Sequence, residues 1–249
     1  MKKFLCLALC LLAMTFTLMS CENTNCTSEK VLTGNVVDVL AKDIYPGEVT
    51  IKDGKITSIK RIDGEFDTYI MPGFVDAHIH IESTLMTPEN YARMAVENGV
   101  VAAICDPHEI TNVLGIEGID YMIDNSKKAR FHFNFMLPSC VPFTNHETAG
   151  ATIDAQQTAQ LIAREDIIGL AEMMNAPGVI YEDAEVMAKI QATHNVGKPI
   201  DGHAPKVTGE DLRKYVAAGI STDHECSSVE EAKEKFIKYR EMDLGIVRV

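Results

Sequence analysis

The sequence predicts an α/β protein whose parallel sheet is either an open doubly wound sheet or a (β/α)8 barrel. From Tyr69 onwards, a short apolar strand, a loop and an amphipathic helix alternate, and successive strands begin roughly 20 to 37 residues apart. No G-x-G-x-x-G segment follows the first of these strands, and no Walker loop is present, which disfavours the nucleotide-binding folds. The chain has 249 residues, 46% of them hydrophobic, which is enough for a large core.

The charge balance excludes one functional class. The chain has 23 Lys and Arg against 36 Asp and Glu, a formal net charge of -13. A protein that binds nucleic acid non-specifically needs an excess of cationic side chains to displace phosphate counterions. We therefore expect no nucleic-acid partner.

Residues 1–20 have the pattern of a signal peptide. Lys2 and Lys3 precede an apolar run from Phe4 to Met14, which is too short to span a membrane comfortably. The signal region ends in Leu18-Met19-Ser20-Cys21, which resembles the lipobox of bacterial lipoproteins. Residues 21–30 are then a polar tether. We expect a membrane-anchored lipoprotein with the lipid on Cys21. The alternatives are an ordinary signal peptide, or a mis-assigned start codon before a cytoplasmic enzyme.

Residues 31–70 form the next segment and are predicted to be a small β unit. Its predicted strands are Leu32–Val39, Gly47–Ile51 and Lys55–Ile59. Asp53-Gly54 between two alternating segments is a strong signal for a hairpin. A unit of this size holds little core alone, so we expect it to be one part of a composite β domain.

Residues 71–249 carry most of the alternating strands and helices. The predicted strands are Tyr69–His78, Val100–Asp106, Arg130–Leu137, Ile167–Met173, Lys198–Gly202 and Gly219–Thr222. The predicted helices are Pro88–Asn98, Gly115–Lys127, Ile153–Arg164, Asp183–His194, Gly209–Ala217 and Ser228–Arg240. Thr87-Pro88 illustrates a helix start, with an N-cap residue followed by proline at the first helical position.

Histidines and acids gather at the predicted strand ends. In the first strand, strict alternation puts four polar side chains on one face: Asp76, His78, His80 and Glu82. Two imidazoles on one face, two residues apart, can chelate one metal ion. His203 and His224 each follow a predicted strand, and in a parallel barrel these ends meet at one mouth. Glu172 ends an otherwise apolar strand, where burial of an unpaired carboxylate costs free energy. A bound metal ion that compensates its charge is the simplest explanation for a glutamate at this position.

These motifs resemble a known family. The run from Met71 to His80 resembles the first strand of the amidohydrolase superfamily, and further motifs narrow the match to bacterial adenine deaminases. Those motifs are His80-Ile81-Glu82-Ser83-Thr84, Cys105-Asp106-Pro107-His108-Glu109-Ile110, Pro138-Ser139-Cys140-Val141-Pro142, Gly169-Leu170-Ala171-Glu172-Met173-Met174-Asn175, Asp201-Gly202-His203-Ala204-Pro205 and Thr222-Asp223-His224-Glu225. The resemblance covers about residues 31–249. It implies a (β/α)8 barrel, with about six strands in this chain, and a small β-sandwich portion at the N-terminus.

The resemblance also implies a metal centre. In such enzymes two divalent ions, here manganese or iron with zinc as a further possibility, activate a bridging hydroxide that attacks C6 of adenine and releases hypoxanthine and ammonia. Carried over to this sequence, His78 and His80 hold one ion, while His203 and His224 hold the second. Glu172 bridges the two ions. Adenine is then the small-molecule partner, and the full-length protein is expected to be a homo-oligomer.

Several assignments remain open at this level. Glu82 and His108 are candidates for substrate contact or proton transfer, and a structural polar network is the alternative. Asp76 is expected to orient a ligand histidine.

Two other functions compete with adenine deamination: hydrolysis of a cyclic amide, and the role of a non-catalytic metal-binding lipoprotein remnant. Because no strand-eight aspartate is visible, we expect the 249 residues to be a C-terminally incomplete barrel and inactive alone.

Overall fold

A computed structural model describes residues 29–144 and 146–242. The predicted signal peptide, Cys21 and most of the predicted tether lie outside these residues. The chain divides into two compact units, Met1–Pro72 and Gly73–Val249. Within the described residues, no helix is both long enough and apolar enough to cross a bilayer.

The described part of the first unit, from residue 29 onwards, forms a four-stranded sheet. Its strands are β1 (Glu29–Asp38), β2 (Asp43–Lys52), β3 (Lys55–Arg61) and β4 (Tyr69–Ile70), in the order β3-β2-β1-β4. β1 pairs antiparallel with β2, β2 antiparallel with β3, and β1 parallel with β4. Lys52 pairs with Lys55 across a two-residue turn in which Asp53 and Gly54 have φ of 52° and 76°. Two positive φ values match the twist of a tight hairpin, so the Asp53-Gly54 turn is confirmed.

The second unit contains a parallel sheet of five strands. These are β5 (Phe74–Ile79), β6 (Val100–Cys105), β7 (His132–Leu137), β8 (Ile167–Met173) and β9 (Ile200–Gly202), paired in sequence order. The α-helices are Pro88–Glu97, His108–Leu114, Ile116–Ser126, Ala155–Leu161, Ala176–Ile180, Ala184–Asn195, Gly209–Ala217 and Val229–Glu241. The prediction of an α/β fold with a parallel sheet is confirmed.

The sheet is strongly curled. Neighbouring strands of a flat sheet lie about 4.8 Å apart, so β5 and β9 would be separated by about 19 Å. Instead, His78 Nδ1 on β5 lies 3.1 Å from Asp201 Oδ2 on β9. The two edge strands therefore approach each other through their side chains, as in half of a barrel. Apolar residues that are fully buried in this unit, such as Leu137, Leu170 and Ile200, form part of its core.

The segment Gly219–Thr222 differs from the prediction of a sixth strand. It runs beside β9 and makes one backbone hydrogen bond to it, from Ser221 N to Ile200 O at 2.9 Å. The segment does not form a regular strand. The Ser221 hydroxyl donates to the same carbonyl oxygen, and the Thr222 hydroxyl donates to Asp201 Oδ1. Side-chain bonds of this kind compete with a regular ladder.

We expect the substitution Gly202→Ala to destabilise the fold at the end of β9. A Cβ at Gly202 would lie 2.9 Å from Ile220 Cγ2 and 3.1 Å from the Tyr215 hydroxyl, and would clash with the Thr222 carbonyl oxygen. Overpacking of this kind costs roughly 1–3 kcal/mol, which urea unfolding can measure. As a control, Gly197→Ala has open space around its Cβ and only a strained φ of 68°, so its cost should be about 1 kcal/mol. A smaller loss at Gly202 than at Gly197 would contradict this expectation.

Candidate metal centre

The predicted ligands lie at one edge of the curled sheet. His78 is in β5, His80 follows it directly, and Glu172 is the penultimate residue of β8. His203 follows β9, and His224 lies two residues after the segment Gly219–Thr222, which runs beside β9. Parallel strands bring their carboxyl ends to the same side, which explains why residues so far apart in sequence meet there. β8 is buried along almost its whole length, and Glu172 near its end has only 5% of its surface exposed.

Glu172 is the centre of the cluster. Its Oε2 lies 3.0 Å from His203 Nδ1 and 3.1 Å from His224 Nε2. Its Oε1 lies 3.3 Å from His80 Nε2, and Oε2 lies 3.7 Å from His78 Nε2. The structure therefore brings the four predicted histidine ligands together around the fifth predicted ligand, the carboxylate of Glu172. Their role as ligands stays a prediction.

The rings of His78 and His80 are oriented for cation binding. His78 Nδ1 lies 3.1 Å from the Asp201 carboxylate, and His80 Nδ1 lies 3.0 Å from the backbone oxygen of Asp106. Both partners only accept hydrogen bonds, so each neutral ring carries its hydrogen on Nδ1. With both rings neutral, the two Nε2 lone pairs would face each other at 3.0 Å, and a proton on one ring or a bound cation removes this repulsion. The donor set thus fits a metal ion, with the ring orientation typical of metal-binding histidines.

The second pair of imidazoles is arranged similarly. His203 Nδ1 and His224 Nε2 are 3.3 Å apart, and both lie beside Glu172 Oε2. His224 Nδ1 lies 3.3 Å from Asp201 Oδ2, so one carboxylate contacts the rings of His78 and His224.

Among residues 29–144 and 146–242, three overlapping groups have donor atoms within 4.8 Å of one another, and are thus compatible with metal binding. They are His78, His80, Asp106 and Glu172; His78, Asp201 and His224; and Glu172, His203 and His224. Because the groups share members, the site is one continuous centre rather than several separate ones.

The cluster attracts positive charge. Burial lowers the pKa of His80, but the carboxylates of Glu109 and Glu172 outweigh it and raise that pKa to about 11. Burial also lowers the pKa of His224, while Asp201 and Glu172 raise it to about 9. Burial raises the pKa of Glu172, yet the neighbouring imidazoles hold it well below its usual range. A bound cation would take the place of these protons.

Residues outside the sheet hold the ligand backbones. The Tyr215 hydroxyl donates to Met173 O at 2.6 Å and accepts from His203 N at 3.0 Å, which links the ends of β8 and β9. The Ser139 hydroxyl donates to Glu172 O at 2.5 Å. The backbone carbonyls of Glu172 and of the following residue, Met173, are therefore fixed by hydrogen bonds.

Asp201, rather than the predicted Asp76, contacts the ring of His78. Asp76 Oδ1 accepts from the backbone N of His78 at 3.3 Å, and Oδ2 accepts from the Tyr91 hydroxyl at 3.4 Å. The carboxylate on the His78 ring is Asp201. A signal was present, since Asp201-Gly202-His203 repeats the spacing of Asp76-Ala77-His78 at a strand end. Only the curl of the sheet, which alternation does not predict, decides which aspartate reaches the ring.

Glu82 lies on a 3-10 helix rather than on the strand. β5 ends at Ile79, and the turn Ile81–Thr84 follows, so the alternation predicted through Glu82 stops early. Glu82 Oε1 accepts from Ile110 N at 3.2 Å. Among the described residues, nothing donates a hydrogen bond to its buried Oε2, and burial raises the pKa of Glu82 to about 7.

His108 lies next to the cluster with both ring nitrogens engaged. Nδ1 lies 2.9 Å from Asp106 Oδ2, and Nε2 lies 2.7 Å from Cys140 O. Burial lowers the pKa of His108, but Asp106 outweighs it and raises the pKa to about 9, so the ring is cationic at neutral pH. With a hydrogen on each nitrogen, His108 has no lone pair for a metal, and it places a positive charge 3.7 Å from Glu172 Oε1.

Comparison with known proteins identifies the family. The model of the "Amidohydrolase family" matches residues 69–248. The chain belongs to this family. Among solved structures, this amidohydrolase resembles N-acetyl-D-glucosamine-6-phosphate deacetylase from Mycobacterium smegmatis, with a TM-score of 0.53 and 15% identity. That likeness covers 78% of this chain and 59% of the deacetylase, and at this identity it supports the fold alone.

Curated relatives of this amidohydrolase are much more similar in sequence. It is 52% identical to a protein named adenine deaminase from Methanosarcina barkeri, over 81% of this chain and 37% of the relative. It is 49% identical to one of the same name from Parabacteroides distasonis, over 82% and 38%. The resemblance inferred from the sequence motifs is confirmed, and it extends to archaeal as well as bacterial proteins. The chain spans less than two fifths of the length of these relatives.

Proposed function

We propose that the protein is a hydrolytic adenine deaminase that converts adenine to hypoxanthine and ammonia. The observation that carries the proposal is the set of four imidazoles around the buried Glu172 carboxylate. Relatives about half identical to this chain carry the name adenine deaminase, which supports this substrate. The whole protein's activity is proposed on these two grounds together.

The chain's own residues fit two divalent cations. In this proposal His78 and His80 hold one with Glu172, and His203 and His224 hold the other with the same carboxylate. Imidazole with carboxylate suits manganese and iron, and zinc as well. When bound, such ions lower the pKa of water and polarise the bond that is attacked.

The remaining residues prepare the centre. Asp201 and the Asp106 carbonyl fix the imidazole orientations, so the ring nitrogens need not reorganise when a cation enters. The His108 ring lies beside the same carboxylate, with Nδ1 3.7 Å from Glu172 Oε1. Glu82, one of whose oxygens is buried without a hydrogen-bond donor among the described residues, is proposed to contact substrate or carry a proton.

The test of this function is a direct assay. The protein expressed from its complete reading frame and loaded with Mn²⁺ is expected to turn adenine into hypoxanthine, followed by the change in ultraviolet absorption. Cyclic amides offered in parallel should remain intact. Hydrolysis of a cyclic amide without adenine turnover would favour the competing function.

We propose that the protein is anchored to a bacterial membrane by a lipid on Cys21. The proposal is supported by the Lys2-Lys3 start, the short apolar run and Leu18-Met19-Ser20-Cys21. Cys21→Ser should shift the protein from the membrane fraction and abolish labelling by a radioactive fatty acid. Cys26→Ser, five residues further in the same polar segment, is the control and should change neither. Unlabelled wild-type protein that retains Met1 would contradict the proposal.

A further inference from the structure

A fully buried lysine lies behind the loops that carry His203 and His224. Lys235 belongs to the helix Val229–Glu241, and none of its surface is exposed. Its Nζ donates to Ala204 O at 2.6 Å and to Glu225 O at 2.8 Å. Each of these carbonyls belongs to the residue directly after a candidate ligand. One side chain therefore ties together the two backbone segments that present the second imidazole pair.

Two carboxylates complete this arrangement. Lys235 Nζ lies 2.9 Å from Asp223 Oδ2 and 2.9 Å from Glu231 Oε1. Glu231 also accepts from the backbone of Lys206 at 2.7 Å and of Ser227 at 2.9 Å. Its oxygens thus hold the loop after His203 and the loop after His224. Lys235, Asp223 and Glu231 together form what we call the lysine hub.

Stability alone is a poor explanation for the lysine hub. Removing three charged groups from water carries a large desolvation cost, and apolar residues of similar volume often stabilise a core as well. What the lysine hub supplies is fixed geometry, because its hydrogen bonds end on specific backbone atoms of two separate loops. The Tyr239 hydroxyl on the same helix adds a further bond of 3.2 Å to Thr222 O, two residues before His224.

We infer that Lys235 is a positioning residue that holds His203 and His224 in register beside Glu172, so that both imidazoles face one cation. The inference rests on the proposed function, because it requires these side chains to bind a metal. Lys235 touches neither the cation nor the substrate. It acts through the loops, by fixing the 3.3 Å separation between His203 Nδ1 and His224 Nε2.

The experiment compares Lys235→Met with Lys238→Met in the full chain. Lys238 lies on the same helix, is partly exposed and pairs with Glu241 at 2.6 Å. Each protein is loaded with Co²⁺, whose d–d absorption reports the ligand geometry, and cation affinity is measured by titration. Loss of the lysine hub should weaken binding of the Co²⁺ equivalent proposed at His203 and His224 at least about tenfold and change its spectrum, as expected for residues that orient metal ligands. Lys238→Met should match the wild type in both.

A second variant separates positioning from folding. The double variant Lys235→Met/Glu231→Gln removes one positive and one negative charge, so the net charge of the lysine hub is unchanged. Unlike Lys235→Met alone, it does not leave two buried carboxylates without the lysine. Far-UV circular dichroism identifies which variants are folded. A folded variant with wild-type Co²⁺ affinity and spectrum would overturn the inference while leaving the proposed function intact. A wild-type protein that binds no Co²⁺ would overturn the proposed function and the inference with it.

Discussion

Glu172→Gln is expected to remove at least one of the two proposed metal equivalents and to lower adenine turnover by at least about 100-fold. The carboxylate lies within 3.7 Å of all four imidazoles, so both proposed ion positions depend on it. Replacing residues that merely orient metal ligands costs 10- to 100-fold, and a shared ligand should cost at least the upper value. Elemental analysis of purified protein, together with the adenine assay, measures both effects.

Glu182→Gln is the matched control for this substitution. Glu182 is exposed and lies outside the cluster, so the same chemical change there should leave metal content and turnover as in the wild type. Circular dichroism of both variants separates metal loss from unfolding. Equal metal content in the Glu172 and Glu182 variants would show that Glu172 is not a ligand.

His78→Ala/His80→Ala is the second substitution for which we expect a large effect. It removes the pair of Nε2 atoms that face each other at 3.0 Å, and with them the nitrogen donors of the first proposed ion. We expect metal content to fall from about two equivalents towards one, and turnover to fall below detection, because the reaction is proposed to need both ions. Residual metal should remain with His203, His224 and Glu172.

The control for the histidine pair is His132→Ala/His194→Ala. Both of these histidines are exposed and lie outside the metal-compatible groups, so the variant loses the same number of imidazoles without touching the site. It should keep the metal content of the wild type. If both double variants bind the same amount of metal, the assignment of His78 and His80 is wrong.

Local chemistry made much of the fold predictable. The Asp53-Gly54 turn and the helix Gly209–Ala217 are found where turn residues and amphipathic spacing predict them. The helix His108–Leu114 escaped prediction because seven residues are too few for a helical period to stand out. The segment Gly219–Thr222 has a strand-like sequence, but its hydroxyl groups bond to Ile200 and Asp201 instead.

The candidate site was predictable to the extent that strand ends are predictable. His203 and Glu172 meet because parallel strands end on one side, a rule that needs only the order of strands. The contact between Asp201 and the His78 ring depends on how far the sheet curls, which results from the packing of the whole unit. The lysine hub likewise depends on where the last described helix lies. Patterns in a single sequence do not predict such contacts between elements that lie far apart in the chain.

The contact between the two edge strands gives a bound cation a mechanical role. His78 on β5 and His203 after β9 belong to opposite margins of the sheet, and they are joined through the carboxylates of Asp201 and Glu172. A divalent ion bound there would link the two edge strands and so resist flattening of the sheet. At one hundred times its dissociation constant, such an ion adds about 2.7 kcal/mol to the free energy of unfolding. Depletion of metal from the growth medium would then lower the free energy of unfolding as well as remove the proposed activity.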